Sequence, residues 1–190
     1  HTDNRRQRQM CIRDRIMRLL ILAKFLLKII DMTETNYWLM KSEPDAYSID
    51  NLEADGTTIW DGIRNYQARN FMRKMNIGDQ VFFYHSNCKP PGIIGLMEVI
   101  DKNITDPTQF DPNSKYFDPK SNKASPRWDC VKVKFISKFK EILSLQELRS
   151  LFIEDDLIVV KKGNRLSITP VKEESAKILL ENLKFNLQNS

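Results

Sequence analysis

The stretch GDQVFFYHSNCKPPGIIGLMEVI (Gly78–Ile100) decides the fold of this chain. It opens with a Gly-Asp turn signal, and Gln80–His85, which follows, is apolar on both faces of an extended chain. A strand with two apolar faces is typical of the middle of a sheet. Gly92–Ile100 is a second apolar run, so we predict that it forms the neighbouring strand across the loop Ser86–Pro91.

Shorter patterns on either side add further strands and helices to this central pair. The predicted strands are Tyr37–Lys41, Gln80–His85, Gly92–Ile100, Trp128–Ile136, Leu157–Val160 and Arg165–Ile168, the last two joined by a hairpin turn at Gly163-Asn164. The predicted helices are Ser48–Ala54, Asn65–Met75, Ser144–Leu151 and a final helix that is capped by Thr169, has Pro170 at its first position and runs to Leu183. Strands dominate and the helices are short. We therefore predict an α+β fold, with a curved or barrel-like mixed β-sheet and short helices around it.

The composition indicates one globular domain. The 190 residues are 41% hydrophobic and 29% charged, which is ordinary for a folded protein of this size. Three cysteines exclude a disulfide scaffold, and two histidines argue against a histidine-rich metal site. Neither the G-x-G-x-x-G motif nor the P-loop, which bind phosphate groups, occurs in the chain. We expect no metal and no cofactor.

Residues 1–31 differ from the rest of the chain. They hold eight of the 30 basic residues and three of the 25 acidic ones, so they carry the whole net charge of +5. Their apolar run Ile16–Ile30 is too short and too charged to span a membrane, which leaves an amphipathic helix or a signal peptide as its interpretation. A third interpretation fits better, because RQRQMCIRDR (Arg6–Arg15) resembles translated sequencing-adapter read-through. We expect residues 1–31 to be absent from the natural protein, and we place the domain at residues 32–190, with its core at 36–184.

Residues 101–127 form a long connection that contains three Asp-Pro turn signals. Connections of this length inside a domain are often functional. Phe110, Tyr116 and Phe117 lie in it, and these aromatic side chains indicate a loop that is held against the domain.

Two arrangements for catalysis can be drawn from the sequence, and both are weak. His85 and Cys88 are close enough to suggest a nucleophile and its base, but strand alternation sends them in different directions and no third group orients them. Glu43 and Asp61 could work as an acid and a base in a hydrolase, although carboxylates near strand ends are usually solvated.

Aromatic and small polar residues at strand ends give a stronger signal. Trp60 lies in a polar segment just before a helix, and Lys41-Ser42 and Tyr84-His85 lie at the ends of two predicted strands. Strand ends that converge at a sheet edge form pockets. A tryptophan face with donors such as Ser42 and Asn65 suits a flat heteroaromatic ring.

Arg64 lies near the start of the second helix, on the face that we predict to be buried. A buried arginine needs a partner. Arg64 either pairs with an acid such as Asp61 or faces a ligand at the helix start, where phosphate is favoured.

Six segments taken together closely resemble one protein family. They are YWLMKSEP (Tyr37–Pro44), WDGIRNYQARNFM (Trp60–Met72), GDQVFFYHSN (Gly78–Asn87), GIIGLMEV (Gly92–Val99), YFDPKS (Tyr116–Ser121) and RLSITPV (Arg165–Val171). The family is the EVE domain, which is PUA-like and similar in fold to the YTH domains that bind N6-methyladenosine in an aromatic cage. The resemblance implies a reader of a modified base in DNA or RNA, such as 5-hydroxymethylcytosine, 5-methylcytosine or N6-methyladenine, with no enzymatic activity and no catalytic residue.

The resemblance also implies roles for individual residues. The base-binding residues would be Lys41, Ser42, Trp60, Asn65, Tyr84 and His85, with Trp60 as the cage tryptophan. The phosphate-binding residues would be Arg64, Arg69, Arg73 and Lys89. We expect an intracellular monomer with no membrane partner, nuclear in a eukaryote and cytoplasmic in a bacterium. Two alternatives stay open: a hydrolase or nuclease acting on modified nucleic acid, and a module of the same fold that binds small molecules or proteins.

Overall fold

A six-stranded mixed sheet forms the centre of the protein in a computed structural model, which describes residues 35–188, with side chains to residue 182. Its strands are β1 (Tyr37–Ser42), β2 (Thr57–Trp60), β3 (Gln80–His85), β4 (Gly92–Thr105), β5 (Asp129–Ser144) and β6 (Ile168–Val171). The helices are α1 (Ile49–Asp55), α2 (Tyr66–Lys74), α3 (Leu145–Leu151) and α4 (Glu173–Gln188). The predictions made for residues 1–31 lie outside the described residues.

The strands lie in the order β2-β5-β4-β3-β1-β6, so β2 and β6 are the two edges of an open sheet. β1 and β3 are parallel, and every other neighbouring pair is antiparallel. A mixed sheet with short helices around it confirms the predicted α+β, PUA-like class.

The central strand β3 separates two hydrophobic cores. Val81 and Phe83 belong to one core, while Phe82 and Tyr84 belong to the other. Helices α1 and α2 complete the first core, and α3 and α4 complete the second. Because both faces of β3 are covered, the prediction of a central strand at Gln80–His85 is confirmed.

β4 and β5 are longer than the sequence predicts. β4 continues to Thr105 and β5 to Ser144, and the register between them shifts at several points. At these shifts the pairing is irregular, as it is at a β-bulge, which bends a strand. The prediction followed the apolar run to Ile100 and the alternation to Ile136, and the pairing continues beyond both residues.

The hairpin predicted around Gly163 is wrong. Ile158–Val160 is a short 3-10 helix, and β6 begins only at Ile168. β6 runs through Pro170, which an edge strand tolerates because the missing amide does not interrupt a ladder on its outer side. The helix cap predicted at Thr169 is wrong for the same reason, since α4 begins at Glu173.

The strand β2 was not predicted, and it places the functional site. It follows α1 directly and pairs antiparallel with β5, with Trp60 opposite Val131. Trp60 is its last residue, so the segment that follows leaves the sheet at its edge.

Candidate functional site

A cleft of about 1170 Å³ opens at one margin of the sheet. Its lining comes from the end of β1, from β2 and the segment after it, from the residues after β3, from the β4–β5 connection, and from the turn before β6. A volume of this size exceeds that of a single base, so the cleft has room for a base and part of its backbone.

Trp60 lines this cleft but is largely enclosed by the protein. Only 7% of the residue is exposed, and its ring meets Phe83 edge-on, with 5.4 Å between the ring centroids and 80° between the planes. The indole therefore forms part of the cleft wall and part of the core. The protein therefore covers most of the tryptophan face that the sequence suggests for stacking.

Lys41 and Ser42 also line the cleft, at the end of β1. The Ser42 hydroxyl donates a hydrogen bond of 2.7 Å to the Tyr47 carbonyl. Lys41 Nζ donates at 3.4 Å to the Asn164 carbonyl and lies 5.7 Å from the centroid of the Tyr84 ring. Burial lowers the pKa of Lys41.

A tightly held segment follows Trp60. Gly62 has a φ of 75°, and a β-carbon there would lie 2.6 Å from the Tyr116 ring. Its amide donates to Asp106 Oδ2 at 3.0 Å, and Arg64 Nη1 reaches the same oxygen at 2.7 Å. Arg64 Nε donates to the Tyr116 carbonyl at 2.6 Å, and Nη2 donates to Thr108 Oγ1 at 2.9 Å. Asp106 is fully buried, so the segment is fastened to the β4–β5 connection by an ion pair.

This geometry identifies the partner of Arg64. Arg64 lines the cleft, yet its guanidinium is engaged by Asp106, Thr108 and a carbonyl. The partner is Asp106, which lies 42 residues away, and the Asp61 pairing suggested from the sequence does not form.

Asn65 lines the cleft where α2 begins. Its Oδ1 accepts from the amides of Gln67 at 2.8 Å and Ala68 at 3.1 Å, so Asn65 is the N-cap of the helix. The oxygen of this side chain is therefore committed to the helix.

Tyr84 and His85 are not among the residues that line the cleft. Tyr84 is 3% exposed in the second core, and burial raises its pKa to about 12. His85 Nε2 accepts a hydrogen bond of 3.2 Å from the Ile49 amide at the start of α1. Burial lowers the pKa of His85, which favours the neutral ring that this bond requires.

The remaining predicted phosphate ligands lie outside the cleft lining. Arg69 Nη1 donates to the Arg127 carbonyl at 2.7 Å, and the Arg69 guanidinium carbon lies 4.8 Å from the centroid of the Tyr66 ring. Arg73 pairs with Asp129, and Lys89 is exposed in the loop after β3.

The pairing of His85 with Cys88 as nucleophile and base is not formed. Cys88 Sγ lies 3.4 Å from the Pro90 carbonyl, and the imidazole is bound to the Ile49 amide. Burial raises the pKa of the Cys88 thiol, which opposes thiolate formation. Within residues 35–182, no group of His, Cys, Asp and Glu has the arrangement of a metal site. None of the helices described is long and apolar enough to cross a membrane.

Sequence reasoning missed Tyr116 as a cleft residue. This half-buried tyrosine packs on Gly62, and Lys115 Nζ lies 4.9 Å from its ring centroid. The signal was present in the sequence, because Tyr116 belongs to the aromatic-rich connection whose length is typical of a functional segment. Arg165, in the turn before β6, also lines the cleft, and the sequence analysis gave it no role.

Both carboxylates of the hydrolase hypothesis, Glu43 and Asp61, lie in the cleft lining. Burial raises the pKa of Asp61, the negative charge of Asp106 raises it further, and the positive charge of Arg64 opposes both effects. An acid with a raised pKa in a cleft is a candidate functional group.

Comparison with known proteins identifies the family of this chain. Residues 36–182 match the family model described as the EVE domain. Human thymocyte nuclear protein 1 is 41% identical over 164 residues, which cover 77% of this chain and 73% of that protein. A solved protein from Pseudomonas syringae is 44% identical with a TM-score of 0.74, over 77% of this chain and 98% of that one. The human THYN1 protein, solved in complex with DNA that contains 5-methylcytosine, is 40% identical with a TM-score of 0.72, over 78% of this chain and 97% of that one.

Proposed function

The chain belongs to the EVE domain family, and from this membership we propose that it is a reader that binds a modified base of DNA or RNA. The observation that carries the proposal is the cleft beside β2, where an indole and a tyrosine lie among polar groups. The solved human relative, which is bound to DNA containing 5-methylcytosine, supports the same class of ligand.

The cleft suits a base that has left the helical stack. Extruding a base costs a few kcal/mol, and contact with aromatic rings returns about 1–3 kcal/mol. Trp60 and Tyr116 supply those rings, and the small exposed area of Trp60 leaves Tyr116 a large share of the contact. A methyl group on the base adds only about 0.8 kcal/mol by burial, which is roughly a fourfold preference. Strong selectivity therefore requires a matched polar contact as well.

The backbone of the nucleic acid is held by local charge rather than by the charge of the whole domain. Residues 32–190 have as many acids as bases, so the domain has no net charge to attract a polyanion. Lys41, Lys115 and Arg165 line the cleft, and we assign them the phosphate contacts. Arg69, Arg73 and Lys89, which are farther along the surface, are assigned to the flanking backbone.

Binding to a panel of otherwise identical oligonucleotides, each with one modified base, tests the proposal. The variant is Trp60→Phe, and the control is Trp38→Phe, because Trp38 is equally buried in the same core but is not part of the cleft lining. We expect Trp60→Phe to weaken binding to the preferred oligonucleotide severalfold while Trp38→Phe keeps the wild-type affinity. Equal affinity for every oligonucleotide, or equal losses in the two variants, would refute the proposed site.

The presence of both Glu43 and Asp61 in the cleft keeps a hydrolase as a second candidate function. It predicts turnover of a modified oligonucleotide, so the bound oligonucleotide should be analysed for cleavage or base loss after long incubation with excess protein. Intact oligonucleotide would exclude this candidate. A small-molecule module would instead bind a free modified nucleoside as tightly as the oligonucleotide, at an affinity that salt does not change.

Location and assembly follow as part of the same proposal. The human relative is named as a nuclear protein, which favours a nuclear location if the source is a eukaryote. We also expect the domain to act as a monomer, since one cleft holds one base.

A further inference from the structure

Asp61 is a carboxylate of the cleft that has no hydrogen bond to another side chain among the described residues. It follows Trp60 directly, is exposed in the cleft, and receives a hydrogen bond only from its own backbone amide among the described residues. A carboxylate repels the phosphates of a nucleic acid, so its place in a cleft for such a ligand needs a reason. A hydrogen-bond donor on the ligand would supply one, because an ionised carboxylate only accepts hydrogen bonds.

The neighbouring polar groups are already engaged within the protein. The Ser42 hydroxyl donates to the Tyr47 carbonyl, the Asn65 oxygen caps α2, and the Arg64 guanidinium holds Asp106. These groups shape the cleft. The carboxylates of Asp61 and Glu43 have no such side-chain partner, and Asp61 is the one that lies next to the Trp60 indole in the chain.

The segment that carries Asp61 is also rigid. On its C-terminal side, the Gly62 amide is bound to Asp106, and the Tyr116 ring lies against Gly62. On its N-terminal side, Trp60 is fixed by pairing with β5 and by its contact with Phe83. An acceptor held in place before the ligand arrives discriminates between donors and acceptors on that ligand.

We propose that Asp61 accepts a hydrogen bond from the exocyclic amino group of the bound base, so that the cleft selects cytosine-type or adenine-type bases over thymine and uracil. This inference rests on the proposed function and deepens it. Cytosine and adenine each carry an amino group on the edge where thymine has a carbonyl oxygen. Facing that oxygen, the carboxylate would oppose one acceptor with another and would gain no donor in place of the water that the ligand displaces.

The ligand pair 5-methylcytosine and thymine tests this directly, because both bases carry a 5-methyl group and they differ in the amino group and the carbonyl. Each is placed opposite an abasic site in the same duplex, so that neither base is held by a pairing partner. We expect the wild-type protein to bind the 5-methylcytosine duplex at least tenfold more tightly than the thymine duplex. Asp61→Asn should reduce this ratio to less than threefold, because an amide can present either a donor or an acceptor.

Asp45→Asn is the matched control, since it removes an exposed carboxylate that is not part of the cleft lining and leaves Asp61 in place. It should keep the wild-type ratio, and thermal melting should show both variants to be folded. A wild-type ratio near one, an unchanged ratio in Asp61→Asn, or an equal reduction in Asp45→Asn would overturn the inference.

A cytosine duplex distinguishes failure of the inference from failure of the proposed function. A preference for 5-methylcytosine over cytosine with no preference over thymine would leave the reader function standing and overturn the role of Asp61. Equal binding of cytosine and 5-methylcytosine, with an amino preference that Asp61→Asn removes, would support Asp61 and argue against a reader of that modification. No binding to any of the three duplexes, to the same sequences as RNA, or to an N6-methyladenine oligonucleotide would overturn both.

Discussion

Replacing Asp106 with Asn should destabilise the protein by about 3 kcal/mol. The buried carboxylate of Asp106 accepts hydrogen bonds from the Gly62 amide, from Arg64, and from the amide and hydroxyl of Thr108. Asn keeps the shape of the side chain but removes the charge that balances Arg64. Neutralising one partner of a buried ion pair costs about 3–5 kcal/mol. Because 21% of the Arg64 side chain is exposed, solvent screens the pair in part, and we expect the lower end of that range, about 3 kcal/mol.

Urea unfolding followed by tryptophan fluorescence measures this loss as a shift of the midpoint at constant slope. The control is Asp156→Asn, which removes an ion pair with Lys172 of 3.0 Å whose two side chains are about half exposed. Such an exposed pair contributes less than about 1 kcal/mol. The reasoning is refuted if Asp106→Asn costs no more than this control.

Two further predictions concern the segment after Trp60. Burial and the negative charge of Asp106 raise the pKa of Asp61 against the opposing charge of Arg64, so its carboxylate is neutralised at a higher pH than that of an ordinary Asp. The affinity for a 5-methylcytosine oligonucleotide should therefore fall as the pH is lowered into that range at fixed ionic strength. Asp61→Asn should flatten this pH profile. A profile that the variant does not change would contradict this assignment. Gly62→Ala should lower the free energy of unfolding by about 1–2 kcal/mol, because residue 62 has a left-handed backbone, and it should also weaken oligonucleotide binding by displacing Tyr116. Gly56→Ala is the control, since Gly56 has a similar φ of 71° with open space around it, and this variant should lose stability alone. Equal binding by the two alanine variants would argue against a role for Tyr116.

The parts of the fold that follow from local patterns were predictable. Gln80–His85 is apolar on both faces and is the covered central strand, and Tyr37–Lys41 is its neighbour in the sheet. β2 was missed because its four residues are too few to show alternation, and Ile59 in it is exposed. The run Leu157–Val160 was misread because buried apolar residues occur in a 3-10 turn as well as in a strand.

Those residues of the candidate site that local patterns mark were also predictable. Strand ends drew attention to Lys41 and Ser42, and the polar segment before a predicted helix drew attention to Trp60; all three line the cleft. The strand-end rule also selected Tyr84 and His85, which do not line the cleft, because helices from other parts of the chain cover the end of β3. No local pattern reports which strand ends a distant helix will cover. The partner of Arg64 was unpredictable for a related reason, since it depends on a contact across 42 residues.

The contact between Gly62 and Asp106, which holds the cleft wall, determines when the site forms during folding. Gly62 and Asp106 are 44 positions apart, so joining them in a disordered chain would carry a large loop-closure entropy. Once β2, β4 and β5 have paired, most of that entropy is already lost and the contact forms at little additional cost. The cleft therefore forms only when the sheet has formed, and an isolated peptide from either cleft wall would not retain the conformation that it has in the protein.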